Sequence, residues 1–167
     1  PIVCFGRAMT KMSHRKPGIK KHGLSRPGIS GLYAITPDSP DTADLLRRVR
    51  LALSGGAHVL QYRDKSANAA LRHGRALALR ELTREFGATY IVNDDVQLAV
   101  QADADGVHLG EMDDDIDAAR IVLGKHKIIG VSCYNRLARA RYAAHAGADY
   151  LAFGAFFPSL IKPAALV

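Results

Sequence analysis

Three short apolar runs in this chain end in residues that could do chemistry together. The first is Val59-Leu60-Gln61-Tyr62-Arg63-Asp64-Lys65. The second, Tyr90-Ile91-Val92, closes on Asn93 and Asp94. The third, Ala104-Asp105-Gly106-Val107-His108-Leu109-Gly110, has Asp113 just beyond it. Polar residues at the carboxyl ends of successive buried strands are where an α/β barrel builds its active site. Two carboxylates and an amide suit a hard cation, and Arg with Lys suits a phosphorylated ligand. The set reads as an enzyme that handles a pyrophosphate through Mg²⁺.

The elements that must position these residues follow from a recurring phrase. Gly56-Ala57, Gly87-Ala88 and Gly147-Ala148 each lead into an apolar run, and Ala104-Asp105-Gly106 and Lys127-Ile128-Ile129 open two more. A glycine there lets a helix end in a left-handed residue and the next strand start close by. With Leu32-Tyr33-Ala34-Ile35-Thr36, six strands are expected, near residues 32, 58, 89, 105, 127 and 149. Amphipathic patterns between them predict helices from Asp41 or Thr42 to about Leu53, and over 68–86, 95–102, 115–123 and 136–146. Strands that are apolar throughout and alternate with helices imply a parallel sheet covered on both faces. No Gly-rich dinucleotide fingerprint follows the first strand, where Pro37-Asp38 stands instead. Functional residues at several strand ends favour a TIM barrel over a doubly wound sheet. The expected fold is therefore an incomplete (β/α)₈ barrel, with about six of eight βα units.

The bulk composition narrows the function classes. At 167 residues and 48% hydrophobic the chain fits one globular core. No apolar run approaches the roughly 18–20 residues that span a bilayer, and no signal-peptide core is legible. Two cysteines, Cys4 and Cys133, cannot make a disulfide framework, so a reduced, cytoplasmic setting is expected. The net charge of +7 sits in residues 1–30, whose seven Lys/Arg face no acid, while residues 31–167 hold 16 of each sign. The division is thus a basic arm, 1–30, without regular structure, and a barrel domain, 31–167. The arm is either a plain extension or a nucleic-acid contact, and it lacks the interleaved aromatics that would stack bases. Nucleic acid and membrane are accordingly not expected partners.

From Gly31 to about Pro163 the chain resembles the thiamine-phosphate synthase family. The segments that carry the resemblance are GLYAITPD, GGAHVLQYRDKS, YIVNDDVQLA, ADGVHLGEMD, IIGVSCYN and GADYLAFGAFFPSLIKP, in that order. The resemblance implies a (β/α)₈ barrel that joins hydroxymethylpyrimidine diphosphate to thiazole phosphate and releases pyrophosphate with Mg²⁺. It implies that Gln61, Arg63 and Lys65 hold the diphosphate and orient the pyrimidine. Asn93 would lie near the substrate, and Asp94 and Asp113 would be the Mg²⁺ ligands. Ser132, Ser159 and Lys162 would complete the substrate contacts. On the residues alone, alternatives stand beside these roles. Arg63 and Lys65 could be a solvated strand end paired with Asp64, Asp94 and Asp95 could start a helix, and Ser132 could cap one. His108 reads as a packed strand-end histidine. No Ser-His-Asp or Cys-His arrangement is legible, so no nucleophile or general base is assigned.

The chain departs from the family pattern at two places. Glu111-Met112-Asp113 stands where Gln followed by two acids is common, and Ile161 stands where a hydroxyl residue usually precedes the lysine. The resemblance also puts the thiazole phosphate on loops after a seventh and an eighth strand, and neither is legible here. The expectation is a C-terminally shortened barrel with open sheet edges, which a second copy or another chain would cover. Such a chain alone should bind the pyrimidine diphosphate but turn over poorly. Two rivals remain: a metal-free thiazole tautomerase of the same fold, and an inactive remnant that binds a phosphorylated ligand. Retention of Asp94, Asp113 and the Gln61/Arg63/Lys65 set argues against the tautomerase.

Overall fold

The computed structural model describes residues 2–4, 29–66, 68–110 and 115–154. Its strands are β1 (Ile2–Cys4), β2 (Leu32–Ile35), β3 (Ala57–Tyr62), β4 (Thr89–Asn93), β5 (Gly106–Leu109), β6 (Ile128–Tyr134) and β7 (Tyr150–Phe153). Between them run α1 (Thr42–Ser54), α2 (Ala69–Glu85), α3 (Val96–Gln101), α4 (Ile116–Leu123) and α5 (Leu137–His145). The sheet order follows the chain, β1 to β7, and every pairing from β2 onward is parallel. Sequential parallel strands with a helix in each crossover are the βα repeat the glycine phrase implied.

The sheet is curled into a half-barrel. In a flat sheet β2 and β7 would lie roughly 24 Å apart, five strand spacings. Instead the Tyr33 hydroxyl on β2 and the Tyr150 hydroxyl on β7 hydrogen-bond at 2.8 Å. The concave side is a small cluster of Val59, Ile91, Ile128 and Tyr150, with Tyr33 and Ile29 against it. The convex side holds the main core, in which Leu60, Tyr62, Tyr90, Val92, Val107, Leu109, Ile129 and Val131 meet Leu45, Val49, Leu53, Leu79 and Leu82 of the helices.

Local signals explain where the helices begin. Asp41 accepts from the N–H groups of Ala43 and Asp44 ahead of α1, and Asn68 accepts from Leu71 N ahead of α2. Such caps satisfy amide groups that the first helical turn leaves unpaired. Helix ends return through left-handed glycines at Gly56, Gly87 and Gly147.

One element lies where none was expected. Ile2–Cys4 pairs antiparallel with β2, in the register Ile2 to Ile35 and Cys4 to Tyr33. The arm 1–30, read as lacking regular structure, therefore includes a strand, and the β2 edge expected to be open is paired. In a closed barrel that edge would adjoin the eighth parallel strand.

Candidate functional site

Strand register fixes which side chains share the concave face. Gln61 lies opposite Ile91, Ile91 opposite Gly106 and Gly106 opposite Ile128, which forms one layer across the sheet. One step toward the carboxyl ends, Asn93 lies opposite His108, His108 opposite Gly130 and Gly130 opposite Tyr150. Ser132 lies one step further along β6, opposite Ala152. Directly paired residues point to the same side of a sheet, so Gln61, Asn93, His108, Ser132 and Tyr150 face the same hollow.

Small residues make room for this arrangement. A Cβ on Gly130 would overlap the Tyr150 ring, and one on Gly106 would overlap the Ile128 backbone. With glycine at 130, the Tyr150 ring lies 5.5 Å from that of His108.

The right-hand part of the hollow is a hydrogen-bond chain. Tyr33 and Tyr150 meet through their hydroxyls at 2.8 Å, Tyr150 meets His108 Nδ1 at 2.8 Å, and His108 Nε2 meets Ser132 Oγ at 2.8 Å. Burial drives the Tyr150 pKa well above its usual value, so the phenol remains protonated. A neutral imidazole is a donor at one nitrogen and an acceptor at the other. The direction of the chain therefore sets whether the Ser132 hydroxyl offers its hydrogen or its lone pairs to the hollow. Ser132 is not a helix cap: the residue that starts α5 is Arg136. His108 is the buried strand-end histidine expected from the sequence, here joined to Ser132.

The left-hand part is cationic and lies at the rim. Thr36, just past β2, donates its hydroxyl to the Arg63 carbonyl at 3.0 Å and accepts the Arg63 N–H at 2.8 Å. These bonds tie the ends of β2 and β3 together. The Arg63 side chain, 20% exposed, reaches the exposed Asp38 carboxylate at 3.4 Å, and Lys65 is exposed. Asp64 is not their counter-ion. Its carboxylate turns inward to Arg75 of α2 at 2.9 Å, with Tyr62 Oη and the Ser66 N–H also donating to it. Burial alone would raise the Asp64 pKa, but the hydrogen bonds from Ser66, Arg75 and Tyr62 outweigh it and hold the carboxyl at about 2.

Between these parts stands Asp94, in the left-handed region at φ 64° with its N–H on the His108 carbonyl at 2.8 Å. A non-glycine residue held there stores strain, a frequent property of functional positions. The neighbouring Asp95, not Asp94, starts the helix: it accepts from Leu98 N at 2.8 Å and pairs with Arg72 at 3.4 Å. Asp113, Ser159 and Lys162 lie outside the described residues.

Among the described residues no three His, Cys, Asp or Glu side chains converge to hold a metal. Mg²⁺ does not require such a cluster, since one or two carboxylates with substrate phosphate oxygens and waters suffice. Asp94, a hard oxygen donor one residue past β4, fits that mode of binding.

Sequence reading did not single out Thr36, Arg75, Tyr33 or Tyr150. Arg75 left a signal, because it falls in step with the buried Leu79 and Leu82 of α2, and a charge on an apolar stripe needs a buried partner. The tyrosine contact spans 117 residues and leaves none.

Comparison with known proteins agrees with this fold. The family model described as thiamine monophosphate synthase matches residues 32–167. A thiamine-phosphate synthase of Aromatoleum aromaticum is 56% identical over 138 residues, which are 83% of this chain and 66% of that relative. One from Methylobacillus flagellatus is 57% identical over 143 residues, 86% of this chain and 68% of that protein. A solved structure of thiamine phosphate pyrophosphorylase from Pyrococcus furiosus superposes with a TM-score of 0.68 at 41% identity, covering 75% of this chain and 60% of that one. The chain thus spans about two thirds of the length of the relatives it matches. No described helix is long and apolar enough to cross a membrane. With a family model matched over most of its length and relatives more than half identical, the chain belongs to the thiamine monophosphate synthase family.

Proposed function

We propose that this chain binds hydroxymethylpyrimidine diphosphate in its concave hollow and serves its condensation with thiazole phosphate to thiamine phosphate and pyrophosphate. The observation that carries this reading is the convergence of Gln61, Asn93 and Ser132 on one face, with Arg63 and Lys65 at its rim.

Each residue has a physical role in that reading. Gln61, 4% exposed, offers an amide that can pair with a pyrimidine edge. Arg63 can grip phosphate oxygens with two parallel N–H groups, and Lys65 adds a point charge. Ser132 presents a hydroxyl oriented by His108. Ser159 and Lys162 are assigned to the same diphosphate on the sequence match alone. Asp94 and Asp113 would hold Mg²⁺, which when bound neutralises charge on the departing pyrophosphate. Departure of pyrophosphate from the pyrimidinyl methylene leaves a carbocation that the thiazole nitrogen captures. Such a reaction needs positioning and electrostatics rather than a nucleophilic side chain. A reduced, cytoplasmic setting suits this chemistry, and the buried thiol of Cys133 is compatible with it.

The test is calorimetric titration of pyrophosphate with and without Mg²⁺, repeated with Asp94→Asn. Mg²⁺ should strengthen binding to the native chain and do less for the variant. Equal affinity in all conditions would remove the metal assignment, and no binding in any of them would remove the anion assignment. An assay of thiamine phosphate from both substrates then measures the complete reaction.

A further inference from the structure

Arg75 is 3% exposed, although it carries a permanent charge. Its guanidinium makes three hydrogen bonds to two different loops. Nε donates to Thr42 Oγ1 at 3.0 Å and one terminal nitrogen donates to the Pro40 carbonyl at 3.2 Å, both on the segment that follows β2. The other terminal nitrogen donates to Asp64 Oδ2 at 2.9 Å, on the segment that follows β3. Asp64 in turn accepts Tyr62 Oη at 2.9 Å and the Ser66 N–H at 2.8 Å.

These contacts hold the segment that carries the rim cations. Along Arg63-Asp64-Lys65 the middle side chain is anchored inward, 8% exposed, while Lys65 is exposed. A buried ion pair is a poor stabiliser compared with apolar side chains of the same volume. What the planar guanidinium supplies, and an apolar side chain would not, is a fixed direction for each of three bonds. The pair also withdraws the one acid lying between two cations from both of them.

We propose that Arg75 and Asp64 are positioning residues that hold the β3–α2 loop so that Arg63 and Lys65 meet one diphosphate together. The proposal rests on the reading of Arg63 and Lys65 as diphosphate ligands. Neither Arg75 nor Asp64 touches the ligand.

The experiment uses the full chain and four variants: Arg75→Met, Arg75→Lys, Thr42→Val and Arg63→Ala. Pyrophosphate affinity is measured with Mg²⁺ present, together with thermal melting and amide hydrogen exchange at Arg63 and Ser66. Arg75→Met should bind pyrophosphate about tenfold more weakly, the size expected for misplacing one charged hydrogen-bond donor. Its exchange at Ser66 should quicken. Arg75→Lys, which keeps the charge and loses the fork, should bind nearly as weakly. Thr42→Val removes one bond, leaves the ion pair intact and serves should Arg75→Met not fold; it should weaken binding about threefold. Arg63→Ala should weaken binding with exchange at Ser66 unchanged.

Native affinity in Arg75→Met, or in Thr42→Val where the first does not fold, overturns the positioning role if Arg63→Ala still binds weakly. Native affinity in Arg63→Ala, or no binding by the native chain, overturns the diphosphate reading and the proposal with it.

Discussion

The two ends of the strands use charge in opposite ways. At the amino ends, acids are consumed in holding the sheet. Asp105, one residue before β5, accepts the Tyr90 N–H of β4 at 2.8 Å and takes both terminal nitrogens of Arg80 at 2.9 and 3.1 Å. Asp149, one residue before β7, repeats the device: it accepts the Ile129 N–H of β6 at 2.9 Å and pairs with Arg120 at 2.7 Å. In both units the arginine comes from the helix ahead of one strand and the acid from the start of the next. At the carboxyl ends the pattern reverses. Arg63 has only a 3.4 Å approach to an exposed acid among the described residues, Lys65 is exposed, and the nearest tightly bound carboxylate is turned away from both. Among the described residues, charge is neutralised where it stitches strands, while Arg63 and Lys65 have no tight carboxylate partner where an anion would arrive. This division of a barrel into a stable face and a reactive face is general.

The strongest test of that division is Asp105→Ala. It removes a charge-assisted acceptor from a strand amide and leaves Arg80, 13% exposed, without its two bonds. Breaking one partner of a part-buried pair costs about 3–4 kcal/mol. Denaturant unfolding should record that loss, while pyrophosphate affinity of the folded fraction stays native. A parallel loss of affinity would mean that the two ends are not independent.

Arg63→Ala should act the other way. Its ion pair with Asp38 is long and exposed, so unfolding should be unchanged. Removing a charged donor from a bound phosphate costs about 1.5–3 kcal/mol, or roughly ten- to a hundredfold in pyrophosphate affinity. A large fall in stability instead would make Arg63 a structural residue.

Acid titration separates Asp64 from its neighbours. Its folded pKa of about 2 lies below the ordinary 3.8, so its contribution is complete above that ordinary value and is lost as the pH falls through about 2. Between pH 4 and pH 2 the native chain should lose about 2 kcal/mol that Asp64→Asn does not lose. Identical acid profiles for the two chains would show that the hydrogen bonds to the Asp64 carboxylate, from Ser66 first and from Arg75 and Tyr62, contribute nothing to stability.

The sequence made some of this plain and hid the rest for physical reasons. Helix limits were legible because caps are local: Asp41 stands where an N-cap was expected, and Asn68, where the second helix was expected to begin, caps it. The strands were legible as apolar runs, but not their faces. Val59 points into the hollow and Leu60 toward the helices, and a parallel sheet buried on both sides shows no alternation that separates them. β1 escaped notice because three residues are too few for a period and its partner is some 30 residues away. The link of His108 to Ser132 and Tyr150 is likewise non-local, and no local pattern announces it. Strand-end residues with a chemical character could be named from the chain. The side chains that hold them still could not.

The smallest expected effect lies two residues from the largest. Asp103 pairs with Lys127 at 2.8 Å and Arg84 at 2.7 Å, and the Lys127 ammonium lowers its pKa against a smaller effect of burial. It lies only 3.8 Å from Arg80, the arginine that Asp105 holds at 2.9 Å. Yet its side chain is 61% exposed, so water and salt screen every one of these pairs. It also sits at φ 46°, which asparagine tolerates as well as aspartate does. Asp103→Asn therefore keeps the backbone shape and removes only the screened charge. The expected loss is below about 1 kcal/mol in low salt and should vanish in 1 M salt, where the Debye length falls to roughly 3 Å. Asp105→Ala should keep most of its cost at that salt concentration, because the Tyr90 amide it leaves unpaired is a buried group that salt does not reach. If both variants lost their effect in high salt, the amino ends would be held by surface charge alone, and the contrast with the carboxyl ends would be one of number rather than kind.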